Sequence, residues 1–259
     1  MIESESMNKI CSETIYITLT SWKGRIKNII TVLDSIAANN VAVEVELNLS
    51  EEEFTNKEKD LPEDLLNYSK LPLKIFWVGR NTKSFKKLIP TMMRHYNENC
   101  FIITVDDDVI YENDFIEKFV KAAQENPEAI ISNNMCRGCY QSQQCVNGAL
   151  TLYRPKFFTP FLWEGLIQVV VDTNEDDWWY SFNLWLFGQR QIKYIPTQLT
   201  FFNEVGEHQY QQNNTQQVLV NYWRWLINQK KIIELSPVQD NTDAEYEKFI
   251  ADLKAKRNK

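Results

Sequence analysis

Apolar and polar positions along this chain switch between the strand period and the helix period, and the switching predicts its elements. The β-branched run IYITLT at 15–20 reads as a buried strand. After a short polar turn, Ile26, Ile29, Ile30, Leu33, Ile36 and Ala37 recur at helical spacing and predict an amphipathic helix. VAVEVELNL at 41–49 alternates Val with Glu, the pattern of a strand with one exposed face. The charged stretch after it reads as surface helix and loop, and LKIFWVG at 73–79 as the next strand. SFKKLIPTMMRHY at 84–96 predicts a helix that Pro90 bends or delays. FIITV at 101–105 is another strand, and a helix begins near 114, where Asp114 and Glu117 have capping-box spacing. AIIS at 129–132 and GALTLYR at 148–154 read as further strands.

The first 130 or so residues therefore read β-α-β-α-β-α-β, which predicts an α/β, Rossmann-like domain: a mostly parallel central sheet flanked by helices. The second half is less regular. WWYSFNLWLFG at 178–188 predicts an apolar helix, KYIP a short strand, and QQVLVNYWRWLI at 216–227 another helix. No repeat or linker divides the chain, so one domain over 1–235 with a helical tail at 236–259 is expected.

Composition narrows the class. With 259 residues, 44% of them hydrophobic and 13% aromatic, the chain can bury a full core. A net charge of −7 argues against a nucleic-acid partner but not against a nucleotide, whose phosphates a metal ion can neutralise locally. The N-terminus lacks the pattern of a signal peptide, and no run reaches the roughly 20 apolar residues of a membrane span, so a soluble cytoplasmic protein is expected. Five cysteines fit a reducing compartment. Cys136, Cys139 and Cys145 are close enough in sequence to consider a metal site, but no second CxxC or paired His follows, and free thiols are the simpler reading.

The chemistry concentrates in four places. FIITVDDDVIY ends an apolar strand in Asp106, Asp107 and Asp108. At about 5 Å and an effective dielectric of about 20, each pair of such charges repels by roughly 3 kcal/mol, so a cation nearby is expected. Ligands of parallel sheets bind beyond the carboxyl ends of strands. In extended backbone Asp106 and Asp108 would face one site and Asp107 another, an arrangement that suits a hard divalent ion with a diphosphate. In TNEDDWWYSFNLW, Glu175, Asp176 and Asp177 open a helix beside large aromatics. Helix capping accounts for acids there, and so does a general base held near a sugar hydroxyl. Arg80, Lys83, Lys86 and Lys87 form a basic group suited to phosphate. TSWKGR at 20–25 is the turn after the first strand, where a nucleotide base would lie. His95 reads as a helix-surface residue, and His208 is a candidate late metal ligand.

Taken in order, ITLTSWKGRI, LSEEEFTNKEKDLP, KSFKKLIPTM, FIITVDDDVIY, NGALTLYRP and EDDWWYSFNLW resemble bacterial family-2-like glycosyltransferases of the A-type fold, of the kind that assembles surface polysaccharide. The resemblance covers about residues 15–190. It implies a nucleotide-sugar half at about 12–110 and an acceptor half at about 111–235. It also implies a DxD-type cluster holding Mn²⁺ or Mg²⁺ through Asp106 and Asp108, with Asp107 toward ribose. Thr20, Ser21 and Arg25 would line the nucleotide pocket, Lys86 or Lys87 would approach the donor, and Gly148 would belong to the donor-sugar wall. Asp177, with Asp176 beside it, would supply the base of an inverting transfer. Trp163, Trp178, Trp179 and Tyr180 are candidate platforms for sugar faces. The implied partners are a nucleotide-sugar donor, with UDP the expected nucleotide, and a saccharide or lipid-linked saccharide acceptor in capsule or lipopolysaccharide synthesis. The basic tail KAKRNK leaves room for peripheral contact with the inner face of an anionic membrane. The competing classes are a nucleotidyltransferase, which usually has a Gly-rich loop after the first strand, and a carbohydrate-binding protein without activity. A haloacid-dehalogenase-like phosphatase would need an Asp after the first strand, where Thr and Ser stand.

Overall fold

Strand β1 (Thr14–Thr20) sends Ile15, Ile17 and Leu19 to one face of a sheet and Tyr16 and Thr18 to the other. Helix α1 (Ile29–Ala37), entered through a 3-10 turn at Ile26–Asn28, covers the first face with Ile29, Val32, Leu33 and Ile36, all buried. Fully burying each such side chain contributes about 2 kcal/mol. The computed structural model describes residues 12–133, 146, 148–158, 176–184 and 191–202, and only the backbone at 178, 179, 182 and 183. These residues belong to one unit, Met1–Gly206. The expected boundary at 235, the helix at 216–227, the tail, His208, the three clustered cysteines and Trp163 lie outside the described residues.

The sheet runs β3-β2-β1-β4-β7-β6-β8. Strands β2 (Glu44–Ser50), β3 (Leu73–Val78) and β4 (Cys100–Val105) are parallel to or in line with β1, as the alternating pattern predicts. Every residue of β4 is buried. Beyond β4 the sheet reverses: β7 (Leu150–Tyr153) is antiparallel to both β4 and β6 (Ile130–Ser132), and β8 (Ile192–Tyr194) runs parallel to β6. Two short strands, β5 (Val109–Tyr111) and β9 (Leu199–Phe201), form a separate antiparallel pair that the pattern does not predict, since three residues carry no periodicity.

Three expectations change. The Glu face of β2 is not exposed: Glu46 is buried because a 3-10 turn (Lys83–Lys87) and helix α3 (Ile89–Arg94) lie over it. Here Thr91, Arg94 and His95 all bond the Glu46 carboxylate, while the charged stretch after β2 forms a 3-10 turn (Lys57–Asp60) and the short helix α2 (Glu63–Leu66). His95 is likewise no surface residue. It stacks on Tyr16 with ring centroids 3.7 Å apart and bridges Glu46 and Glu98. The capping box of α4 (Phe115–Glu125) does not form: Asp114 makes no capping hydrogen bond and pairs with Lys118 at 2.8 Å. Pro90 does delay its helix. Lacking an N–H, it lets regular α-helix begin only at Ile89, after the 3-10 turn. No helix among the described residues is long and apolar enough to cross a membrane.

Candidate active site

The strand order turns back between β1 and β4, since β2 and β3 extend to one side of β1 while β4 begins the other. The carboxyl ends of these two parallel strands therefore open a crevice. Ser21 and Arg25 follow β1, and the three aspartates follow β4.

The aspartates do not stand on extended backbone. β4 ends at Val105, and Asp106 to Asp108 form the turn into β5. Asp107 points inward at 3% exposure. It accepts a hydrogen bond from Ser21 Oγ at 2.6 Å and pairs with Arg25 Nη2 at 2.8 Å. Asp108 shares Arg25 through Nη1, while Asp106 pairs with Lys87 Nζ. Two cations thus answer three anions, and the repulsion between the acids is met from both sides. Burial pushes the Asp107 carboxyl up to about 6, with Arg25 and Ser21 pulling the other way. Burial also raises Asp108, more than Arg25 lowers it.

Lys87 is the hub. Its ammonium meets Asp106, donates to the Gly148 carbonyl at 2.9 Å and stands 3.9 Å from Asp176 Oδ2. Burial alone would lower its pKa, but Asp106, Asp176 and Asp177 outweigh that and hold it charged. Helix α5 (Asp176–Asn183) begins at the two acids, as the EDDWW pattern predicts. Burial raises both carboxyls, and Asp176 raises Asp177 further by repulsion. Asp176 is buried and Asp177 only partly so. Gly148 has no room for a side chain: a Cβ there would stand 2.1 Å from Asp177 Oδ1 and 3.1 Å from Lys87 Nζ. Its N–H donates to Asp177. The main chain of one glycine therefore touches both the base candidate and the cation.

The other expected residues are placed as follows. Thr20 commits its hydroxyl proton to the Asn48 carbonyl at 2.6 Å, tying β1 to β2. Lys86 is buried between the loops after β2 and β3, meeting Asn81 Oδ1 and, at 3.5 Å, Glu53. Burial lowers its pKa more than Glu53 raises it. Lys86 and Lys87 thus serve different surroundings. Tyr180 is no sugar platform, because it is buried among Phe85, Tyr153 and Phe158.

Sequence reasoning missed Tyr111. Its buried hydroxyl accepts from the Asp106 N–H and donates to the Ala149 carbonyl, both at 2.7 Å, fastening the aspartate turn to the turn at Gly148 and Ala149 that precedes β7. Ser181 was missed too. It accepts from the Val146 N–H at 2.8 Å and donates to the Asp177 carbonyl, anchoring Val146 on α5. A Tyr closing the DDDVIY run was the available signal for the first, and none was for the second.

The donor set suits a hard divalent ion. Asp106 and Asp108 are the aspartates whose side chains reach solvent, at 30% and 18% exposure, against 4% for Asp107. Each uses one oxygen on its cation, leaving Asp106 Oδ2 and Asp108 Oδ1 without a protein partner among the described residues. No three His, Cys, Asp or Glu side chains converge as a metal cage among the described residues. One or two carboxylates completed by phosphate and water are the usual Mg²⁺ arrangement.

No protein-family model matches the sequence, and no curated protein is similar to it. Solved structures are similar in fold. TarS from S. aureus (residues 1–349, in complex with UDP-GlcNAc) superposes with a TM-score of 0.52 at 14% identity, over 92% of this chain and 71% of that one. The mannosyltransferase PcManGT from Pyrobaculum calidifontis, in complex with GDP-Man and Mn²⁺, gives 0.53 at 12% identity, over 86% of this chain and 65% of that one. The seven-stranded, mostly parallel sheet flanked by helices is thus the A-type glycosyltransferase fold.

Proposed function

We propose that this protein is a metal-dependent glycosyltransferase that moves a sugar from a nucleoside-diphosphate donor to a saccharide hydroxyl. The observation that carries the reading is the meeting of the open carboxylates Asp106 and Asp108, the buried cation Lys87 and the base candidate Asp177 at the switch point of the sheet. The solved structures of the same fold support it, one holding UDP-GlcNAc and another GDP-Man with Mn²⁺.

Asp106 and Asp108 would hold Mn²⁺ or Mg²⁺, which when bound offsets charge on a leaving diphosphate. Ser21 and Arg25 brace the aspartate turn beside the nucleotide. Lys87 places a fixed positive charge between the donor acids and the acceptor acids. Asp177 takes the proton of the acceptor hydroxyl as its oxygen bonds the anomeric carbon; the carbon–phosphate-oxygen bond breaks, and the nucleoside diphosphate leaves with the electron pair. One base on the attacking side implies inversion. The raised pKa of Asp177 suits a base, since a stronger conjugate base takes that proton more readily. A role in capsule or lipopolysaccharide synthesis, with the acceptor saccharide free or lipid-linked at the membrane surface, extends the same reading.

A panel of UDP-, GDP-, CDP- and dTDP-sugars, each with and without Mn²⁺ or Mg²⁺, tests it by thermal stabilisation and donor turnover. At least one donor should raise the melting temperature in a metal-dependent way, and Asp108→Asn should abolish that rise and the turnover. Stabilisation by no donor, or wild-type turnover in Asp108→Asn, would sink the reading.

A further inference from the structure

We propose that a buried polar relay beneath α3, ending in Thr18, positions Lys87 for its place in the site; the reading of Lys87 as part of that site rests on the proposed function. Thr18 lies within β1, two residues short of the strand's end, and its side chain is fully buried. Its hydroxyl donates to the main-chain carbonyl of Lys87.

The ends of the relay are set by groups that can act only one way. Arg94 can only donate, and its Nη2 reaches Asn48 Oδ1 at 2.7 Å. That sets the Asn48 amide so that Nδ2 donates to Thr18 Oγ1 and to Thr91 Oγ1, both at 3.1 Å. Thr18 lies 2.8 Å from Thr91 Oγ1 as well, where either hydroxyl can donate; it accepts from Asn48 and has one proton of its own. The Lys87 carbonyl, which can only accept, receives it. A cation thus heads a chain of aligned hydrogen bonds, and such chains strengthen one another in a buried setting. Glu46 closes the network by pairing with Arg94.

The segment needs fastening. Lys87 ends the 3-10 turn Lys83–Lys87, and α3 begins only at Ile89. Pro90 has no N–H to offer the Lys86 carbonyl four residues back, so the helical ladder is interrupted where both lysines stand. A strand in the middle of a sheet is the more rigid partner, and Thr18 borrows that rigidity for the Lys87 main chain. The ammonium can then meet Asp106, the Gly148 carbonyl and Asp176 together. Thr18 touches no substrate position; it is a positioning residue.

The test uses the full chain labelled with ¹⁵N at lysine Nζ. Buried and triply engaged, the Lys87 ammonium should give a slowly exchanging signal, assigned by its loss in Lys87→Met. Thr18→Val should broaden or remove that signal and raise the donor KM about tenfold with little change in kcat, while Thr18→Ser restores both. Ser132→Ala, which removes a buried hydroxyl elsewhere in the sheet, should leave the signal untouched. An unshifted Lys87 signal in Thr18→Val, or a Thr18→Ser protein that behaves like Thr18→Val, overturns the proposal. If Thr18→Val does not fold, Thr18→Cys, a much weaker donor, is read by the same signal. If no nucleotide-sugar is turned over, the functional reading fails, yet the Nζ signal still decides the positioning.

Discussion

The protein packs acids against cations twice, and the two clusters are built to opposite ends. Beneath α3, Glu46 receives Arg94, His95 and Thr91, and its pKa stays below the usual carboxylate value although burial acts to raise it. At the crevice, Asp106, Asp107, Asp108, Asp176 and Asp177 outnumber Arg25 and Lys87, and Asp107, Asp108, Asp176 and Asp177 are pushed upward. The first cluster is closed, with each acid oxygen answered. The second leaves oxygens open on Asp106 and Asp108. Complete pairing holds a fold; incomplete pairing, kept in place by the same fold, leaves charge for a ligand to satisfy.

The sharpest way to break that contrast is to remove an acid from each side. Asp177→Asn should lower kcat by about 10³-fold while the melting temperature holds or rises, because an acid repelled by Asp176 has been neutralised. Glu46→Gln should do the reverse. Arg94 is partly exposed and keeps its charge, so loss of its charged partner should cost about 1–3 kcal/mol, read by urea denaturation. A stable Glu46→Gln protein would show that the closed cluster does not hold the fold. Gly148→Ala should have a smaller effect, about 10²-fold in kcat, as the new methyl displaces the Asp177 carboxylate. Unchanged kcat in that variant would mean that Asp177 is not held where it acts.

The smallest effects are in pH. Glu46, with its folded pKa depressed, contributes stability present above its unfolded value of about 4.3 and lost as pH falls through the lower folded one. Asp177, raised, must lose its proton to act, so kcat/KM should climb with pH around a midpoint above the carboxylate range. Between the two midpoints the protein should be folded and inactive. Coincident loss of both would refute the separation.

Much of this was legible in the chain. β1 to β4 follow directly from runs such as IYITLT and FIITV, and DDD and EDD mark the site because clustered acids need a cause. Glu46 was misread because alternation of Val and Glu says which residues share a face and not what covers it. The parting of Lys86 from Lys87 was invisible for a related reason: neighbours in a tight turn diverge by angles that spacing does not encode. Tyr111 and Ser181 each act through a pair of hydrogen bonds to main chain, which leave no periodic trace.

The reversal of β7 has a consequence for how the molecule is made. Because β7 runs against β4, with Val105 opposite Leu150, the residues leading into it arrive at the end of the sheet where β4 finishes. The crevice thus joins the exits of two early strands to the entrance of a late one, and then to α5. A chain emerging from the ribosome with its N-terminus first can pair β1 to β4 from residues 14–105 alone, and these include the relay that holds Lys87. Gly148 and Asp177 come later, so their part of the crevice is added to one that β1 to β4 can already have formed.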